Sequence, residues 1–158
     1  MYAKTARSSI LAVLLITATV FGNGCSKSSS AVSTALPAAV SIAGPVLGEI
    51  AKAVPGLSQA QAALGAGSTL ALAQDKMPAD QFSKLSSAVP GTNQLIAEAT
   101  KQGLPRPLHS LTDVKSFLGK NGFTADQINQ FMPAVTNEIS KLAPKEVADA
   151  FGAVLNAA

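Results

Sequence analysis

The residue types that carry most enzyme chemistry are scarce in this chain, which has one histidine and one cysteine among its 158 residues. The histidine, His109, stands directly before Ser110 and follows a proline-rich turn. A serine nucleophile needs a base within hydrogen-bonding reach and a carboxylate that orients this base. Adjacent side chains rarely point at each other, and no orienting carboxylate is evident. We therefore interpret His109 as a solvated loop residue.

Two other patterns each have a chemical and a structural interpretation. Glu146 and Asp149 are spaced to share one helix face, as paired catalytic acids would be, but such a pair is usually an exposed charged face. The tetrapeptide Gly65-Ala66-Gly67-Ser68 is similar to a phosphate-binding loop, yet no strand precedes it and no Gly-Lys-Ser/Thr ending follows. Close helix packing explains these glycines better. The sequence thus predicts no catalytic, cofactor-binding or metal-binding residues.

Cys25 carries the clearest chemical prediction. The basic residues Lys4 and Arg7 lie near the start of the chain, and an apolar run follows at residues 10–21. This order is typical of a secretory signal peptide. This run is too short to span a bilayer, which needs about 20 apolar residues. The small residues Gly22-Asn23-Gly24 then lead directly to the cysteine.

A small residue before a cysteine, at the end of such a run, resembles the bacterial lipobox, in which the cysteine is diacylated and the signal is cut before it. Gly24 fits this motif, whereas Asn23 is unusual and Gly22 stands where leucine or valine is expected. The alternative is an ordinary signal with an incidental cysteine. Several acyl chains would anchor the protein stably, at about 0.8 kcal/mol per buried CH₂. We predict lipidation at Cys25.

The lipobox interpretation also predicts the location and the division of the chain. An aspartate after the cysteine would favour the inner membrane, and Ser26 stands there instead, so the resemblance implies the periplasmic face of the outer membrane. We predict a signal peptide at residues 1–24, a lipidated cysteine with a flexible Ser/Ala-rich tether at residues 25–43, and a helical domain at residues 44–158. A single cysteine excludes an internal disulfide.

Charge and aromatic content argue against a nucleic-acid partner. The chain has 12 Lys and Arg against 9 Asp and Glu, but Lys4 and Arg7 leave with the predicted signal. The remaining basic residues are scattered rather than clustered, so no basic face is expected. The aromatic side chains after the signal fall at apolar helical positions and are predicted core residues. They are Phe82, Phe117, Phe123, Phe131 and Phe151.

Apolar residues at spacings of three and four predict an all-α fold, a compact bundle of about six short helices. The phrase Ala-Val-Pro-Gly occurs at residues 53–56 and 88–91, and we interpret it as two similar helix stops rather than a solenoid repeat. Thr124 and Gln127 match a capping box before the strongest helix, in which Pro133 predicts a kink or a restart. Candidate caps of other helices are Ser58, Thr92 or Asn93, and Thr112 or Ser110.

Residues 61–93 resemble the core of the VcgC/VcgE-type family of bacterial proteins of unknown function. That family shows a Gly/Ala-rich helix, a short turn, an acid-x-Phe-x-x-Leu helix and an Ile/Val-Pro-Gly stop. The corresponding residues here are Asp80, Phe82, Leu85 and Val89-Pro90-Gly91. Residues 122–155 fit the family pattern too, so the resemblance covers most of the chain after about Gly44. It implies a fold, and it supplies no catalytic or ligand residues.

Two non-enzymatic functions and one enzymatic function remain as hypotheses. The first, which we expect, is a lipid-anchored periplasmic interaction or structural protein that docks an envelope protein partner through an apolar groove. The second is a carrier for a lipid or other small apolar molecule, in a pocket among the Gly/Ala-lined helices. An enzyme would need a perturbed carboxylate in a cleft. No cofactor is expected.

Overall fold

The computed structural model describes residues 43–157, and the predicted signal and Cys25 lie outside this range. Every regular element in the described range is an α-helix, so the all-α prediction is confirmed. Seven helices are present in this range, rather than about six, and two of them have 18 residues. They are α1 (Gly44–Ala53), α2 (Gln59–Lys76), α3 (Ala79–Ala88), α4 (Thr92–Lys101), α5 (Leu111–Lys120), α6 (Ala125–Leu142) and α7 (Lys145–Asn156).

Helix α2 lies at the centre of the bundle. All its residues from Ala62 to Ala73 are buried. Helices α1, α3, α4, α5 and α7 pack around it. A helix that is apolar on every side cannot face water, so it must be enclosed by other helices. Its small side chains let these neighbours approach closely.

Local hydrogen bonds fix the starts of three helices, including the two long ones. Ser58, Ser110 and Thr124 each begin a capping box, with Gln61, Asp113 and Gln127 as the respective third residues. These boxes confirm the predicted caps, and they select Ser110 over Thr112.

Helix α4 begins differently from the prediction. Gly91, with φ of 81°, stands at the cap position, and Thr92 is already the first helical residue. The Thr92 hydroxyl donates a hydrogen bond backwards to the carbonyl of Val89 at 2.7 Å. The prediction that Thr92 or Asn93 caps this helix was therefore wrong, because a left-handed glycine makes the turn instead.

The last three helices repeat the order of the first three. Each begins at a nearly constant distance along the sequence from its counterpart. Helices α1, α2 and α3 begin at Gly44, Gln59 and Ala79, and helices α5, α6 and α7 begin at Leu111, Ala125 and Lys145. We call α1–α3 the first unit and α5–α7 the second unit, with α4 between them. Both long helices follow a left-handed glycine, with φ of 75° at Gly56 and 84° at Gly122. Both are followed by an extended residue and a proline, Pro78 or Pro144.

The two units pack crosswise, which means that the first helix of each unit contacts the long helix of the other. Helix α1 contacts α6 of the other unit, and α5 contacts α2. The side-chain amide of Gln61 donates to the carbonyl of Gly122 at 3.3 Å, and that of Gln127 donates to the carbonyl of Pro55 at 3.5 Å. Reciprocal contacts of this kind are those of a two-fold symmetric dimer. The domain is thus built like a dimer within one chain.

The repeat of the two units differs from the repeated Ala-Val-Pro-Gly phrase that is evident in the sequence. The Ala-Val-Pro-Gly phrases both fall in the first part of the domain and end α1 and α3, as interpreted; Gly91 of the second phrase also caps the start of α4. The true repeat has the pattern Gly-Leu/Phe-Ser/Thr-x-x-Gln at residues 56–61 and 122–127. Leu57 and Phe123, the apolar members of this pattern, are both buried. A search for internal similarity at the offset between Gly56 and Gly122 would have found it.

Helix α4 breaks the symmetry of the two units. It packs along α2, where a methyl group at Gly67 would overlap the Leu95 backbone. The equivalent position in α6 is Pro133, which is exposed. The helix continues from Ala125 to Leu142 through this proline and does not restart. An exposed proline suits a face that no helix covers.

We expect Pro133→Ala to raise the free energy of unfolding by about 1–2 kcal/mol, because alanine restores a backbone donor for the Asn129 carbonyl and has a higher helix propensity. Pro144→Ala is the control, since Pro144 precedes a helix with φ of −54° and its replacement should slightly lower stability. Urea unfolding measures both variants. A less stable Pro133→Ala protein would show that the proline is required for packing.

Candidate functional site

His109 and Ser110 have a structural role. The backbone N–H groups of both residues donate to Oδ2 of Asp113, at 2.9 and 3.0 Å, and the Ser110 hydroxyl accepts from the Asp113 backbone. The hydrogen bond from the His109 backbone is the main cause that lowers the pKa of the Asp113 carboxyl. The ring of His109 is exposed beside Lys76 and Val154. The carboxylate therefore caps α5, and the interpretation of His109 as an exposed loop residue is confirmed.

The paired acids form an exposed charged face, as expected. Glu146 and Asp149 both lie on the exposed side of α7. Asp149 Oδ2 accepts a hydrogen bond from the Lys145 ammonium at 2.7 Å, and this contact raises the pKa of Lys145. Both partners of this ion pair are well exposed, so it contributes little to stability.

The glycines of α2 serve helix packing. A methyl group at Gly65 would overlap the Phe131 ring, and one at Gly67 would overlap the Leu95 backbone. The Ser68 and Thr69 hydroxyls donate to carbonyls of the preceding turn, with Ser68 bonded to Gly65 at 2.8 Å. Protein atoms therefore fill the space beside both glycines. A ligand pocket of the predicted carrier type cannot lie against these two residues.

The described residues also bear on metal and membrane binding. Between residues 43 and 157, no group of three or more His, Cys, Asp or Glu residues is placed to hold a metal ion. None of the helices in that range is both long enough and apolar enough to cross a membrane.

A wide cleft of about 660 Å³ lies between α1 and α6. Its charged side chains form one ion pair on each helix, Glu49 with Lys52 at 2.8 Å and Glu138 with Lys141 at 2.5 Å. The hydrogen bond from Lys52 lowers the pKa of Glu49, and the one to Glu138 raises the pKa of Lys141. The acids are balanced by the bases, so the cleft carries no net charge. This balance favours a neutral occupant over an ionic one.

The loop before α5 is held by contacts that the sequence did not predict. One guanidinium nitrogen of Arg106 donates to Gln74 Oε1 at 2.9 Å and to Asp75 Oδ1 at 2.7 Å. The second carboxylate oxygen of Asp75 accepts from the backbone N–H of Leu108 at 2.8 Å. These bonds join residues that are far apart in the sequence. They fix the loop to the end of α2, and no local signal in the sequence marks them.

Comparison with known protein families gives one match. A family model described as a protein of unknown function, VcgC/VcgE, matches residues 23–154. The chain belongs to this family. No curated protein and no solved structure matches it. The VcgC/VcgE assignment confirms the resemblance found in the sequence.

The VcgC/VcgE match begins well before the described helices. It starts at residue 23, so it includes Cys25 and the segment that we interpreted as a tether. The resemblance in the sequence had been placed only after about Gly44, and the family pattern therefore extends further than expected. Cys25 itself lies outside the described residues, and its lipidation stays a prediction from the sequence.

Proposed function

We infer that this VcgC/VcgE protein is exported, acylated at Cys25 and held at the bacterial cell envelope, where its helical domain acts as a non-enzymatic interaction or structural module. The observation that carries this proposal is Cys25 itself, which follows an apolar segment and Gly24. The match of the family model across this cysteine supports it, because the segment is part of the pattern that the family shares.

The surface of the described domain bears on the kind of partner. Among residues 43–157, Leu142 is the exposed large apolar side chain, with 42% of its surface accessible. A partner protein would therefore meet a largely polar surface rather than the apolar groove expected from the sequence. Polar interfaces of this kind are common in complexes that form and dissociate. This favours an interaction module over a permanently assembled subunit.

Acylation is tested by metabolic labelling with a fatty-acid analogue, followed by membrane fractionation. The full-length protein should be labelled and recovered with membranes, and Cys25→Ser should lose both properties, because the acylated thiol is absent. The double variant Cys25→Ser/Ser28→Cys is the matched control, since it keeps one thiol but moves it away from Gly24. It should also stay unlabelled. Membrane-bound Cys25→Ser protein would overturn the proposed anchor.

The same fractions test the location of the anchored protein. Separated inner and outer membranes should contain the protein mainly in the outer membrane. Ser26→Asp should shift it to the inner membrane, because an aspartate after the lipidated cysteine favours retention there. Ser28→Asp adds the same charge two residues later and should leave the distribution unchanged. An equal shift in both variants would show that charge alone decides the location.

A further inference from the structure

We propose that the cleft between α5, α6 and α7 binds an extended peptide segment of a partner protein, and that an acidic residue of this segment pairs with Lys115. The cleft has a volume of about 380 Å³, and Pro133 of α6 is part of its lining. The proposal rests on the interaction role proposed above and gives that role a site and a kind of partner.

The cleft lies where the first unit holds a helix. In the first unit, α4 packs along α2, and a methyl group at Gly67 would overlap the backbone of Leu95. Pro133 is the counterpart of Gly67 in the second unit, and it is exposed. The bundle therefore already accepts a stretch of polypeptide at this position in one of its two units.

The side chains that line the cleft favour an extended chain over a second helix. Three small residues of α2 correspond to larger ones in α6, at the offset that relates Gly56 to Gly122. The pairs are Ala63 and Asn129, Gly67 and Pro133, and Ala71 and Asn137. Larger side chains keep a helix at a greater distance. A helix also bonds its own backbone groups, whereas an extended peptide needs partners for them.

Amide side chains supply such partners. Asn129, Asn137 and Asn156 line the cleft, and all three are exposed. Each carboxamide has both a donor and an acceptor, as a peptide unit does. Because Asn129 and Asn137 lie on one helix, they are about 12 Å apart along its axis. An extended chain covers this distance with roughly three to four residues.

Pro133 leaves one more acceptor at the same face. Helix α6 continues through this residue, but proline has no N–H to donate to the carbonyl of Asn129 one turn earlier. That carbonyl is available to a backbone N–H of a bound peptide. The proline thus has a role on an exposed face, where it would otherwise only weaken the helix.

The charge at the cleft selects the partner. Lys115 borders it, is exposed, and takes part in none of the ion pairs found among residues 43–157. No acidic residue lines the cleft, whereas Met132 and Leu155 supply apolar surface. An acidic residue of the peptide therefore complements Lys115, and its apolar side chains pack on Met132 and Leu155.

Peptide display tests the site. Random decapeptides on phage are selected on the full-length protein in detergent, and a selected peptide is synthesised for fluorescence anisotropy. Selected peptides should carry an acidic residue. Asn137→Ala and Lys115→Gln should each weaken binding about tenfold, because each removes a polar contact. The matched controls Asn93→Ala and Lys84→Gln, on exposed positions of α4 and α3, should leave the affinity unchanged.

Pro133→Ala separates a binding role from a structural one. This variant should bind the peptide about fivefold more weakly although it is expected to be more stable, because its new N–H competes for the Asn129 carbonyl. Circular dichroism of the complex should show no gain of helix. Equal affinities for wild type, Asn137→Ala and Pro133→Ala would overturn this site, and a peptide that binds another face would still support the interaction role. A helical bound peptide, or a library without binders, would overturn the proposal as well.

Discussion

Gly67→Ala is expected to lower the free energy of unfolding by about 3 kcal/mol, because the added methyl group has no space between α2 and α4. It would lie 2.7 Å from the carbonyl carbon of Leu95 and 3.2 Å from the Ala99 Cβ. The first contact is with backbone, which cannot rotate away as a long side chain can. Helix α4 must therefore move, and the packed interior resists such a shift. Urea unfolding followed by circular dichroism measures the loss.

Gly48→Ala is the matched control for this variant. Gly48 also lies inside a helix, but a methyl group there would have no neighbouring atom within 4 Å. Its replacement should stabilise the domain by about 0.5–1 kcal/mol through helix propensity alone. If Gly67→Ala were as stable as Gly48→Ala, the close approach of α4 to α2 would be contradicted.

Phe131→Ala is expected to cost about 4 kcal/mol, since it empties the contact between the two long helices. The ring is fully buried, lies edge to face with Phe123 at a centroid distance of 5.8 Å, and covers Gly65. Gly65 and Phe131 occupy equivalent positions in the two units. The large Phe131 side chain therefore packs at the point where Gly65 has no side chain. A cavity here would remove packing contacts at the centre of the interface between the two units.

A double-mutant cycle makes this prediction specific. Gly65→Ala alone should cost about 2 kcal/mol, because its methyl group would lie 2.7 Å from Cε1 of Phe131. In the Phe131→Ala background the same change should cost nothing or stabilise the domain, since the methyl group enters the cavity. The control pair, Gly65→Ala with Phe82→Ala, should be additive. Additivity in both pairs would contradict the packing of Phe131 on Gly65.

The two glutamines Gln61 and Gln127 join the two units by reciprocal hydrogen bonds. Gln61 and Gln127 each use the amide oxygen to close the capping box of their own helix and the amide nitrogen to reach the other unit. A glutamate would close the box equally well, but it has no amide donor. The choice of glutamine at both positions therefore serves the contact between the units. The cap was visible in the sequence, whereas the second bond was not.

The sequence alone determined the features that depend on neighbouring residues. Ser58 and Thr124 marked the starts of the two long helices, because a hydroxyl that caps a helix bonds to a residue only three positions away. Acylation of Cys25 would also depend on a linear motif, and it stays a prediction. The crosswise packing, the contact of Gly65 with Phe131 and the anchoring of Arg106 on Asp75 were decided by the tertiary structure. Each joins residues that are far apart in the sequence, and their complementary shapes and charges become apparent only when the chain has brought them together.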